Sequence, residues 1–203
     1  NLNILILGNF ANFLMLISKF VSGIDGGNEI AFFTYAVIIL NTILTAVIMN
    51  INTLVLKIIS IRESVKLTVI STVISFFIGL IVVFIVEFFG TNIISFFYER
   101  GQFNFNDTMR TTFFLKELSW SFLFIFMATS LFQPFFTLDS VLLRKHAKLL
   151  SRYLFLFIFG ISLFLLTQNY SNGYNSILIM KFLSIVYFVL ALISFKKYRQ
   201  YVT

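Results

Sequence analysis

Three lysines stand where a charge needs a reason. Lys19, Lys116 and Lys181 each lie within a long apolar stretch of this 203-residue chain. An ammonium at mid-bilayer depth costs about 2.5–3.5 kcal/mol on insertion scales, so each must reach water, a counter-charge or a ligand. The chemistry they offer is point-charge binding of an anion such as a lipid phosphate, which is best held by several donors at once. The structural alternative is snorkelling, in which the alkyl stem carries the charge to the headgroup layer. Glu117 directly follows Lys116. Neighbours on a helix point about 100° apart, so these two do not pair with each other. Glu87 closes another apolar stretch, where interfacial exposure accounts for it.

A second set is polar and uncharged. Asn41, Thr45 and Asn52 share roughly one face at helical spacing, with Thr42, Asn50 and Thr53 among them. Either they hydrogen-bond to neighbouring helices, for about 0.6 kcal/mol each, or they form a hydrated cavity wall able to meet sugar hydroxyls. Other chemistry is thin. The chain has no cysteine, which removes disulfides, thiol chemistry and Cys-based metal sites. Its single histidine, His146, lies in a basic segment and reads as a solvated polar residue, not a metal ligand. There is no phosphate-cradling glycine loop, dinucleotide fingerprint or Ser/His/Asp set. We therefore expect no enzyme activity, no cofactor and no metal; a fuelled pump would need its ATPase elsewhere.

The elements that position these residues follow from composition. Only 11% of residues are charged, mean hydropathy is +0.97 and 29 residues are Phe. That is too little polar material to coat a soluble core. In lipid the backbone must pair internally, which leaves helices or a closed barrel. Barrel strands alternate over about ten residues, whereas these runs are continuously apolar and about twice as long. The expected fold is all-α and integral to a membrane, with six spans at 4–21, 30–56, 67–89, 112–138, 153–167 and 177–195 in a single unit over 1–203. The fifth span is the shortest. The first residue is Asn, and the first span lacks the basic start and small-residue cleavage site of a signal peptide, so the chain reads as a segment of a larger protein.

The net charge of +7 does not point to nucleic acid, because of where the charges fall. Segments 57–66 and 139–152 and the tail are basic, while 22–29, 90–111 and 168–176 are acidic, balanced or neutral. This is the positive-inside pattern. It implies a multi-pass membrane protein with both ends of the segment cytoplasmic and three loops outside. Segment 90–111 is the most patterned. Residues 91–97 suit a short interfacial helix, Gly101 permits a left-handed turn, and Asn106, Asp107 and Thr108 offer N-caps for the next span. Asp107 also suits that helix's dipole. Glu99 and Arg100 read as a turn pair. Pro134, the only proline, is expected inside the fourth span, as tolerated curvature or as a hinge.

Segment 90–111 also carries a resemblance. Phe97-Tyr98-Glu99-Arg100-Gly101-Gln102-Phe103, followed by Asn106-Asp107-Thr108, resembles the F-x-E-R-G-x-F-x-x-x-D-T segment of the MurJ/MviN lipid II flippases. Ala31-Phe32-Phe33-Thr34-Tyr35-Ala36 is similar to the start of one of that family's long spans, and Pro134-Phe135-Phe136-Thr137-Leu138-Asp139-Ser140 to the cytoplasmic end of another. Order and spacing match the family's second lobe, from its seventh to about its twelfth helix. The resemblance implies one lobe of a two-lobe carrier of the MOP exporter superfamily, in a bacterial inner (plasma) membrane. Such a carrier moves an undecaprenyl-pyrophosphate-linked cell-wall precursor from the inner to the outer leaflet by alternating access, without bound ATP and with ion gradients or membrane potential implicated. Its partners would be the lipid-linked glycan, membrane lipid and the missing other lobe of the same chain.

Two departures bear on cargo. Where the family has Asp-Arg after Tyr-Ala, this chain has Val37-Ile38, and a branched alkyl group cannot pair with a phosphate. Where the family has Pro, it has Lys57. Lys19, Lys116, Lys181, Asn41, Thr45 and Asn52 are the expected substrate-binding set; Glu99, Arg100, Gly101, Asp107 and Thr108 are the motif residues. The rival readings are an exporter of another lipid-linked oligosaccharide or amphipathic drug, and a non-transporting membrane scaffold.

Overall fold

A computed structural model describes residues 7–24, 27–62, 65–137, 141–167 and 171–202. Their regular structure is entirely helical. In chain order the helices are α1 (Phe10–Ser22), α2 (Glu29–Ile43), a π-helical turn (Leu44–Ile48), α3 (Met49–Arg62), α4 (Val65–Tyr98), α5 (Phe105–Leu131), α6 (Pro134–Thr137), α7 (Val141–Leu166) and α8 (Asn172–Val202). Five stretches are long and apolar enough to cross a membrane: Glu29–Ile58, Val65–Tyr98, Phe105–Leu131, Lys145–Leu166 and Asn172–Gln200. The sixth expected span is represented by the shorter α1; the start of 4–21 lies outside the described residues. Ile, Val and Phe are indifferent helix formers in water, but in lipid the obligation to pair every backbone group overrides propensity.

α5 is the central helix. It is covered by α4, α8 and α2, while α8 also packs on α1 and α7. Phe114, Leu118, Phe122, Ile125 and Phe126 of α5 are inaccessible. Lipid supplies no hydrophobic drive between helices, so close approach of small residues must hold them. α4 provides this with Thr68, Ser71, Ser75 and Gly79, a buried row spaced three or four residues apart. At Gly79 the backbones approach so closely that an added Cβ would lie 3.3 Å from Leu123 Cα and 2.5 Å from its Cδ1.

Several expected boundaries move, each for a physical reason. Residues 91–97 are not a separate interfacial helix; they are the last turns of the 34-residue α4. Gly90 does not break that helix. It is buried against α5, and a Cβ there would lie 3.4 Å from Thr112 Cγ2. The fourth span starts at Phe105, not near 112, because Asn104 is the N-cap, upstream of the expected Asn106, Asp107 or Thr108. Asn104 Oδ1 accepts from the backbone N–H of Asn106 (2.8 Å) and Asp107 (3.2 Å), and Asp107 Oδ2 accepts from the Asn104 N–H (2.9 Å), closing a capping box. Asp107 thus sits at the positive end of the helix, as expected. Gly101 has φ +63°, also as expected.

Pro134 is not inside a span. α5 ends at Leu131, and Pro134 is the first residue of the separate turn α6. A residue before proline is driven out of the helical region. Proline itself is tolerated at a first helical position, where no N–H bond is lost. The hinge within a continuous helix is therefore replaced by a break between two helices. The basic segment 139–152 is likewise not a loop: it is helical from Val141. α8 carries the basic tail to Val202.

Candidate functional site

Chain order and contacts set the helices antiparallel, with two distinct ends. One end holds the Gly101 turn, where Arg110 Nη2 meets Glu29 Oε1 at 2.7 Å. There Tyr35 stacks on Tyr98 (4.6 Å between ring centroids) and meets Phe103 edge-on (5.6 Å). Two of the three motif segments therefore touch through these rings. Glu99 does not pair with Arg100 among the described residues: its Oε2 accepts from the Thr108 hydroxyl at 3.1 Å, tying the turn to α5. The opposite end holds the cations of α3, α7 and α8.

The structure does not bring the three lysines together. Lys116 Nζ lies 3.6 Å from Glu87 Oε2 on α4. Lys181 forms an ion pair with Glu117, so α5 is joined by ion pairs to α4 on one side and α8 on the other. Adjacent residues on α5 thus take partners on different helices, as their 100° separation requires. Lys181 lines a cavity of about 210 Å³ with Trp120, Phe124 and Ser184, between α5 and α8. Lys19 lies elsewhere: it is exposed on α1 and lines a cavity of about 240 Å³ with Asn12, Thr34, Val37 and Ile38.

The expected polar face also divides. Asn41, Thr45 and Asn52 would align on an unbroken α-helix. The π turn at Leu44–Ile48 accommodates an extra residue and swings the helix beyond it by about 100°. Thr45 stays exposed, with its hydroxyl donating to Asn41 O (2.9 Å). Asn52 is turned inward and is 2% exposed. Its Oδ1 accepts from Ser71 (3.0 Å) and Ser130 (2.9 Å), and Ser75 lies 2.6 Å from Ser130. This four-residue network ties α3, α4 and α5. Ser71, Ser75 and Ser130 are not among the expected site residues, although the row Thr68-Ser71-Ser75-Gly79 at three- and four-residue spacing is a readable signal for a helix contact. Asn52 also lines a cavity of about 250 Å³ with Asn9, Thr53, Thr129, Gln133 and Tyr187.

The two cavities at Lys19 and at Asn52 both lie along the seam between α1 and α2–α3. Asn9, Asn12, Leu16 and Lys19 line them from one side at spacings of three and four residues, and Thr34 and Thr53 from the other, while Thr42 and Thr45 are exposed on the stretch between. The threonines donate to the carbonyls four residues earlier on their own helix, and Asn50 Nδ2 does the same to Ala46 O. Those bonds satisfy the donors and leave oxygen lone pairs facing outward. The other outer faces differ: between residues 69 and 85 every exposed side chain of α4 is apolar, and the exposed residues of α7 from 153 to 166 are aromatic, aliphatic or glycine.

Fold and site together define an all-α, multi-pass membrane protein of about six helices with a polar seam along α1 and α2–α3 and apolar outer faces on α4 and α7. The chain matches no family model, no curated protein and no solved structure.

Proposed function

We propose that this chain is one lobe of a membrane carrier that moves a lipid-linked glycan precursor of the lipid II type across the bilayer, with the α1/α2–α3 seam as its cargo-facing wall. The polar seam carries this reading. A row of asparagines, threonines and a lysine at bilayer depth is costly against lipid and is explained by water, sugar or a second lobe on that side. The resemblance of the Glu99-Arg100-Gly101 and Tyr35-Ala36 segments to the MurJ/MviN family supports the same direction. Val37 and Ile38, at the places of that family's Asp-Arg, line the same cavity as Lys19. Lys19 is thus the cation in reach of a phosphate there, and threonine oxygens beside it can accept from sugar hydroxyls. Lys116 and Lys181 are assigned to the ion pairs that hold α5. The cargo stays chemically unchanged: its head crosses in the polar seam as the two lobes rock, and its tail stays in lipid.

A second reading keeps the carrier and changes the cargo. The Lys19 cavity is walled mainly by Met15, Leu16, Phe33, Val37 and Ile38, which suits an amphipath with a larger apolar head. The deciding experiment is lipid II externalisation by the full reading frame in bacteria depleted of their own flippase. Restored outer-leaflet lipid II, lost in Lys19→Ala and kept in Phe84→Leu on the apolar outer face of α4, is the expected result. No restoration, with the protein confirmed in the membrane, rejects the lipid II reading.

A further inference from the structure

α7 is the most peripheral long helix; its packing is chiefly against α8. Lys145, Lys148 and Arg152 are exposed on it at spacings of three and four residues, which is one stripe of a helix. The same stripe continues through Leu156, Phe159 and Leu163, all exposed and apolar. One helix face is therefore cationic for two turns and then greasy for about two. The α8 end adds to the charged part: Lys197 Nζ lies 3.4 Å from His146 Nδ1, and Lys196 is exposed beside it. No Asp or Glu occurs from residue 140 to the end of the chain, so nothing within α7 or α8 neutralises this patch. Tyr153, exposed beside the stripe, sits at the depth where its charged and apolar parts meet, the depth at which amphipathic rings settle.

We propose that this stripe of α7 is a binding site for an anionic bilayer phospholipid, its phosphate held by Lys145, Lys148 and Arg152 and an acyl chain laid along Leu156, Phe159 and Leu163. The order of charge and apolar surface along the stripe matches the order of headgroup and tail in one lipid molecule. Basic pockets at the ends of membrane helices bind such headgroups by charge. Arg152 supplies the planar fork suited to a phosphate, and the lysines supply point charges. The site is separate from the α1/α2–α3 seam and does not depend on the cargo reading.

The test is native mass spectrometry of the whole protein from nanodiscs containing equal phosphatidylglycerol and phosphatidylcholine. Preferential retention of phosphatidylglycerol is expected. Each basic side chain near an anionic surface is worth several-fold in affinity, so K145Q/K148Q/R152Q is expected to reduce that preference by about tenfold or more, while K57Q/K66Q, on other helices of the same end, leaves it near wild type. K148Q alone, the milder variant, is expected to lose several-fold, and K148R to retain the preference. Millimolar inorganic phosphate is expected not to displace the lipid, because it lacks the tail. Equal retention of both lipids, an unchanged preference in the triple variant, or an equal loss in K57Q/K66Q overturns the proposal.

Discussion

At the residue scale, the ion pair of Glu117 and Lys181 shows how a charge survives in an apolar helix. Both side chains are about a third exposed, 35% and 34%, so the pair is half in the low-dielectric interior. Removing one partner leaves the other without compensation, which costs far more than removing both. Fully buried pairs lose about 3–5 kcal/mol when broken on one side; with solvent screening at this exposure about 1–2 kcal/mol is expected. Glu117→Ala is therefore expected to lower the thermal midpoint in detergent by more than the Glu117→Ala/Lys181→Ala double variant does. Equal losses would show that the two side chains are not coupled. That Lys116 and Glu117 cannot pair with each other was legible from adjacency alone. Their partners were not: Lys181 lies 64 residues from Glu117, and only packing sets which helices face each other.

The π turn has the largest consequence of any single element. It decides that Asn52 points into the bundle and not along the seam with Thr45. Deleting Ala46 removes the extra residue that the turn absorbs, so it is expected to restore a regular helix while keeping the phase of α3 and the bonds of Asn52 to Ser71 and Ser130. The loss in stability is therefore expected to be smaller than that of Asn52→Ala, for which the abandoned hydroxyls suggest about 1–2 kcal/mol; thermal unfolding of both variants checks this, and a larger loss on deletion would show that α3 had rotated. Pro134 carries an expectation of its own. As the first residue of α6 it gives up no hydrogen bond, so Pro134→Ala is expected to change stability by less than about 0.5 kcal/mol and to leave transport intact. A large transport defect would return the proline to the role of a hinge. Helix existence was legible from long apolar runs, because lipid leaves the backbone few alternatives. Helix ends were less so. The cap at Asn104 lies one residue before the helix and three before Asp107, in a pattern that several neighbours also satisfy, and π turns have no distinct residue signature.

The whole molecule is polarised. Ten of its fifteen Lys and Arg residues lie on the end formed by α3, the start of α4, the start of α7 and the end of α8, while all five acids among the described residues, Glu29, Glu87, Glu99, Asp107 and Glu117, belong to the opposite half. Five helices long enough to span, joined by short connections, fix alternate ends to opposite sides. Lys and Arg near span ends are retained on the cytoplasmic side. The basic end is then expected to be cytoplasmic and the Gly101 turn external. The absence of native cysteine makes this directly measurable, since any introduced thiol is the only one in the chain. Gln102→Cys, exposed beside Gly101, is expected to react with a membrane-impermeant maleimide in intact cells. Gln200→Cys, exposed on the last turns of α8, is expected to react only after permeabilisation. The reverse pattern would place the α7 stripe outside and the Lys19 end of the seam inside. On the proposed carrier reading, cargo arriving from the cytoplasm would then meet Lys19 first, and the lysine would serve capture of the phosphate and not its release.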